Sequence, residues 1–246
     1  MKKDQQQIYG FHPVMEALLS GKTLDKLFIL KTENNPQIKD LISLARKMQV
    51  SVIKVPKEKL NKLCRANHQG VVAYTSPIDI GDIEMIIQSV FEQGEVPFFI
   101  MLDKVNDVRN FGSIARTALS AGCHAIIIPY KGAAAINEDA IKTSAGALHH
   151  LPVCKVMSMG DAIKLMSASG ITTIACHEKT ETSIHKVDLC RPVNLLFGNE
   201  GNGIDPHLLR MASESALIPM YGKVSSLNVS VAAGICLFEV SRQRNP

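Results

Sequence analysis

The chain has 246 residues, 46% of them hydrophobic and 20% charged, with six cysteines. That is enough chain for one large domain or two smaller ones with buried cores, and it excludes a disulfide-stapled miniprotein and a charge-rich disordered polymer. The net charge of +4 is unevenly divided: residues 1–76 carry 13 Lys/Arg against 6 Asp/Glu, and residues 77–246 carry 14 against 17. Either the basic part meets a polyanion through phosphate contacts or its lysines form a solvated face. Apolar runs such as 98–102 fall far short of the ~20 residues a membrane span needs, and the opening MKKDQQQ leads into no apolar segment. A cytoplasmic protein is therefore expected. Cys64, Cys123, Cys154, Cys176, Cys190 and Cys236 form no CxxC pair, which fits reduced, mostly buried thiols and implies no metal.

In chain order, the pattern predicts a helix from His12, a strand at 26–30, a helix at 38–48, a strand at 50–55, a helix after Pro56 and a strand at 70–74. Residues 1–76 thus read as a small basic α/β domain. Residues 77–97 hold five acidic residues and no basic one and read as a connector with one amphipathic helix. From 98 to 246, apolar strands at 98–103, 125–129, around 151–156, 171–176 and 194–198 alternate with helices at 112–121, 137–148 and 159–169. This is the βα alternation of a parallel sheet. The final stretch, 228–244, is apolar on nearly all sides of a helix: Val229, Ala232, Ala233, Cys236, Leu237 and Val240 on one face, Val231, Ile235 and Phe238 on another. One of these faces packs either on a partner subunit or within the monomer core.

Three polar clusters lie at predicted strand ends. In NDVRNFGSIARTALSAG, residues 106–122, Asn110, Gly112 and Arg116 fall near the carboxyl edge of the sheet, where open α/β sheets bind ligands. Asn110 is either a helix cap or a site residue, and Arg116 needs either an ion-pair partner or a phosphate. No GxGxxG or Walker loop is present. In LLFGNEGNGI, residues 195–204, three glycines with Asn199, Glu200 and Asn202 allow positive backbone dihedrals and close approach to a ligand. In IPMYGKVSSLNVSVAAG, residues 218–234, Ser225, Ser226, Asn228 and Ser230 gather where a loop becomes the last helix, more of them than capping needs. The histidines lack metal-ligand spacing and default to core or surface roles.

N-x5-R after a first strand, FGNEGNGI after a late one and IPM-x4-SSLNVSVAAG at the C-terminus together resemble the three motifs of the SpoU-type (TrmH-like) RNA ribose 2'-O-methyltransferases. The resemblance spans 98–244. It implies a SPOUT-type parallel sheet whose C-terminal chain threads a trefoil knot, a homodimer formed through the C-terminal helix region, and S-adenosyl-L-methionine as methyl donor. YGFHPVMEAL with the basic unit after it is similar to the RNA-binding domain of the enzymes that methylate a guanosine ribose of 23S rRNA. Carried over by motif, the catalytic positions are Asn110, Arg116, Glu200, Ser226 and Asn228. The cofactor-binding positions are Gly198, Ile218 and Leu227, largely through backbone groups. An arginine is a poor general base, so Arg116 is read as a phosphate clamp and electrostatic positioner, with the other four orienting the hydroxyl, the ribose or Arg116 itself. A tRNA 2'-O-methyltransferase and a noncatalytic RNA-binding or ribosome-assembly protein are the competing readings.

Overall fold

The structure, a computed structural model, describes residues 6–32, 35–48, 50–224 and 226–245. The chain forms two compact units, residues 1–79 with 136–138, and residues 80–135 with 139–246.

The first unit contains β1 (Gln7–Tyr9), α1 (Phe11–Leu19), β2 (Leu24–Leu30), α2 (Pro36–Lys47), β3 (Ser51–Val55), α3 (Lys57–Leu63) and β4 (Val71–Thr75). Its strands form one sheet in the order β1-β4-β2-β3. Alternation along β2 divides the layers: Leu27 and Ile29 join Val14, Leu18, Ile38, Leu41 and Ala45 in one core. Phe28 and Leu30 pack on the opposite side with Val55, Leu60, Cys64 and Tyr74. That is the two-residue period of a sheet covered on both faces. Asn35 and the proline after it start α2, the Asn35 side chain accepting from Gln37 N at 3.0 Å.

The second unit runs β5 (Ile80–Gly81), α4 (Ile83–Glu92), β6 (Phe98–Asp103), α5 (Val108–Ser120), β7 (Ala125–Pro129), α6 (Glu138–Thr143), β8 (Val153–Val156), α7 (Met159–Ala168), β9 (Thr172–Cys176), β10 (Val193–Gly198), α8 (Pro206–Met211), β11 (Glu214–Ala216) and α9 (Val229–Arg244). Short 3-10 turns occupy Ala147–His149 and Ile184–Lys186. All seven strands are parallel, in the order β11-β9-β10-β6-β7-β8-β5. Phe99, Met101, Leu196 and Ala175 face a core with Ile87 and Val90 of α4, Ile163 and Met166 of α7 and Leu208 of α8. On the other side α9 packs on β10 and α5.

Within the acidic residues 77–97, β5 pairs with β8 and α4 is an amphipathic helix that buries Ile87 and Val90 in the second core. Other expectations change. The helix expected over 137–148 ends at Thr143, where Ala145 and Gly146 take left-handed backbone conformations, φ 51° and 85°. The helix expected from Gly112 begins four residues earlier. Gly112 lies inside α5, where a Cβ would sit 2.7 Å from Thr143 Cβ and 3.0 Å from the Ala140 carbonyl, so this glycine permits helix packing. The exposed face of α9 is the one with Val231, Ile235 and Phe238, while Val229, Ala233, Cys236, Leu237 and Val240 are buried within the chain.

Candidate active site

Because every strand of the second unit points the same way, the turns after β6, β9, β10 and β11 open on one edge, with Gly198 in register with Asp103. The turn after β6 starts α5. Asp107 is its cap, accepting from Asn110 N at 2.8 Å. Asn110 is therefore not the cap, and its side chain is free for another partner.

The turn after β10 is built by Asn199. Its Oδ1 accepts from Gly201 N at 2.9 Å and Asn202 N at 2.7 Å, and its carbonyl accepts from Gly203 N at 3.0 Å. Of the three glycines, Gly203 alone has positive φ (67°). Gly198 has a different reason: a Cβ there would lie 2.0 Å from the Gly203 carbonyl carbon and 2.2 Å from Ile204 N. The glycine is what lets the loop close on its own strand. The far end is clasped by Asp103, whose Oδ2 accepts from Asp205 N at 2.8 Å, and by Lys104, whose Nζ lies 3.0 Å from Asp205 Oδ2. The Asp205 pair raises the Lys104 pKa. The Asp205 pKa is lowered chiefly by the His207 N–H it accepts and then by Lys104. Sequence patterning missed this clasp, since Lys104 and Asp205 are 101 positions apart.

The closed loop holds Glu200 at its tip, and three side chains meet there. Asn110 Nδ2 donates to Glu200 Oε1 at 2.9 Å, Asn228 Nδ2 donates to the same oxygen at 2.6 Å, and Asn228 Nδ2 also lies 3.1 Å from Asn110 Oδ1. The amide orientations follow from chemistry. Asn228 caps α9, so its Oδ1 must accept, which it does from Ser230 N at 2.9 Å and Ser230 Oγ at 2.6 Å. Its NH₂ then points outward, Asn110 meets it with Oδ1, and the Asn110 NH₂ turns to the carboxylate. Both donors use Oε1, while Oε2 accepts from none of the described residues.

The remaining predicted residues lie around this cluster or apart from it. Ser226 is exposed, and Leu227 and Ile218 are half-buried; Ile218 follows β11 by two residues. Ser225 lies outside the described residues. Arg116 is on the exposed side of α5, with no ion pair or side-chain hydrogen bond to the described residues, so the chain does not bring it to the cluster. At the end of β9, the sequence reading passed over His177, whose Nε2 is shut off from solvent without a partner among the described residues. A groove of about 500 Å³ between α4 and α7, lined by Ile87, Phe91 and Leu165 among others, contains none of these residues. Among the described residues no cluster of three or more His, Cys, Asp or Glu could hold a metal. No described helix is long and apolar enough to cross a membrane.

The stretch that supplies this glycine-closed loop and its three convergent polar side chains, residues 97–238, matches the SpoU rRNA methylase family. The chain belongs to the SpoU methylase family. Residues 7–80 match the RNA 2'-O ribose methyltransferase substrate-binding family. Two relatives align over nearly their whole length: the TrmH-family protein YacO of Bacillus subtilis, 33% identical over 100% of this chain and 99% of its own, and the 23S rRNA (guanosine-2'-O-)-methyltransferase RlmB of Pseudomonas aeruginosa, 33% identical over 98% of both. Among solved structures, an S-adenosylmethionine-bound rRNA methyltransferase from Sinorhizobium meliloti superposes with a TM-score of 0.61 at 26% identity, over 97% of this chain and 87% of that one. This SpoU methylase is an S-adenosylmethionine-dependent enzyme that methylates ribose 2'-hydroxyls of RNA. The residues fit that cofactor, since Gly198 closes the loop after β10 with main chain and no side chain at the carboxyl edge, which leaves an adenosine a close approach to the backbone.

Proposed function

We propose that this SpoU methylase modifies a guanosine ribose of 23S rRNA, with residues 1–76 as the RNA-binding part and residues 98–246 as the catalytic part, working in the cytoplasm. The full-length similarity to the Pseudomonas enzyme supports the substrate. So do the exposed basic side chains Lys54, Lys57, Lys59, Lys62 and Arg65 on and around α3.

The observation that carries the chemistry is the Asn110–Glu200–Asn228 cluster at the carboxyl edge. The cofactor, when bound, supplies a methyl group on a sulfonium. The chain's task is to hold the attacking ribose oxygen in line with that methyl, and orientation of this kind lowers a barrier by several kcal/mol. With Oε1 tied by two amides, Glu200 presents Oε2 as the fixed acceptor for the 2'-hydroxyl hydrogen, while Ser226 and Asn110 complete the ribose contact. Arg116 clamps a phosphate, and Gly198, Ile218 and Leu227 hold the cofactor. The exposed Val231, Ile235 and Phe238 stripe of α9 is the homodimer face, and the C-terminal chain is threaded as a trefoil knot, as in the family it resembles.

The test is incubation with methyl-labelled S-adenosylmethionine and unmodified 23S rRNA or tRNA, followed by alkaline hydrolysis. Label in an alkali-resistant dinucleotide containing guanosine from rRNA is expected. Label from tRNA alone replaces the substrate assignment, and absence of label from both RNAs contradicts it.

A further inference from the structure

The loop between β11 and α9 starts at the carboxyl edge of the sheet and ends at Asn228, the cap of α9 and a member of the polar cluster. Exposure rises along it: Ile218 is half-buried, Met220 is 39% exposed, Tyr221 96% and Val224 67%. Tyr221 is the most exposed large hydrophobic side chain among the described residues. A Cβ at Gly222 would meet nothing within 4 Å, so the space beside the ring is open, and Lys223 is exposed with no ion pair to the described residues. No hydrogen bond to the described residues holds 218–224. Tyr74 shows what the fold does with a tyrosine it uses: its ring meets Phe28 edge-on at 6.1 Å, and its hydroxyl accepts from Gln7 Nε2 at 2.7 Å. The Tyr221 ring has neither kind of partner. It adds nothing to folding and gains only when something flat covers it. A stacking face with a cation two residues on is the pairing by which proteins hold single-stranded RNA, the ring taking a base and the cation a phosphate.

We propose that Tyr221 stacks on an unpaired base of the RNA strand whose ribose is methylated, with Lys223 meeting a phosphate of the same strand. The inference rests on the placing of methyl transfer at Asn110, Glu200 and Asn228. It makes Tyr221 a substrate-binding residue and puts the target in a loop or single strand, since bases inside a helix have both faces covered by their neighbours.

The chain contains no tryptophan, so Tyr221→Trp keeps a stacking face and carries the protein's one indole. Titrating this variant with unmodified 23S rRNA and tRNA transcripts is expected to quench the indole, and S-adenosylhomocysteine alone is not. In steady-state methyl transfer, Tyr221→Ala is expected to raise the RNA KM by about tenfold or more with little change in kcat, while Tyr221→Phe stays near wild type. The melting temperature and S-adenosylhomocysteine affinity should be unchanged in both. Absence of quenching by both RNAs, or a wild-type RNA KM in Tyr221→Ala, overturns the proposal. Quenching by S-adenosylhomocysteine alone, with weaker binding of it in Tyr221→Ala, gives the ring to the cofactor, and a smaller species in sedimentation of Tyr221→Ala gives it to a second copy of the chain; either also overturns the base contact. Asn110→Ala tests the underlying assignment separately: a wild-type single-turnover rate there, with the raised KM in Tyr221→Ala, moves methyl transfer away from the cluster and leaves the base contact standing.

Discussion

Asp107 and Asn110 stand three residues apart at the start of α5 and divide two tasks that one polar residue could have performed. Asp107 satisfies the helix end and Asn110 reaches across 90 positions to Glu200. Asp107→Ala should therefore cost about 1 kcal/mol in urea unfolding. Asn110→Ala should leave the unfolding midpoint in place and lower single-turnover methyl transfer by about tenfold or more. Glu239 shows how a buried carboxylate is kept charged in the same unit. Arg242 is the main cause, at 2.7 Å, helped by Gln243 and His185 against the opposing effect of burial, and together they bring its pKa from the ordinary 4.5 to about 2. A depressed carboxylate stabilises the fold above its unfolded pKa and loses that contribution as the pH falls through the folded one. Thermal unfolding across pH should show wild type losing stability between about pH 5 and 2. Glu239→Gln should be less stable than wild type at pH 7, and the gap should narrow as the pH falls through that window.

At the scale of elements, α9 joins the two edges of the parallel sheet. Its first residue boundary, Asn228, belongs to the polar cluster, and its last residue, Arg244, donates to the carbonyls of Val96, Pro97, Leu189 and Arg191 while lying over the Phe98 ring at 5.3 Å. These carbonyls precede β6 and β10, so one guanidinium ties the helix end to the starts of both central strands. A lysine has no planar fork with which to replace it. Arg244→Lys should lower stability by about 3 kcal/mol in urea unfolding, since three part-buried carbonyls lose their donors. The five long strands were legible because each is a short apolar run between breakers. β1, β5 and β11, of three, two and three residues, are too short for a period to register, as is the six-residue α8. The early start of α5 was hidden by its polar first turn, which looked like loop, and that is why Asn110 was mistaken for a possible cap.

For the whole molecule, the uneven charge becomes a physical claim. If Lys57, Lys59 and Lys62 of α3 contact phosphates, RNA affinity falls steeply with salt, and replacing all three with alanine should flatten the slope of log K against log salt by about 2 to 3. Unchanged slope would return them to a solvated face. The chemistry-bearing residues were recognisable as types at strand ends and in the order of a known family. Their convergence was not, because 118 positions separate Asn110 from Asn228 and no local period spans that distance. Arg116 marks the opposite case, a motif residue that the folded chain leaves outside the cluster.

The central claim, that Asn110, Glu200 and Asn228 act together to orient the ribose hydroxyl, is met most directly by single-turnover methyl transfer in Asn228→Asp. Aspartate caps α9 as well as asparagine does but withdraws the donor and sets a second carboxylate beside Glu200. The expected result is a rate lower by about 100-fold, with the protein still folded at the assay temperature and S-adenosylhomocysteine affinity unchanged. A wild-type rate in that variant would contradict the assignment.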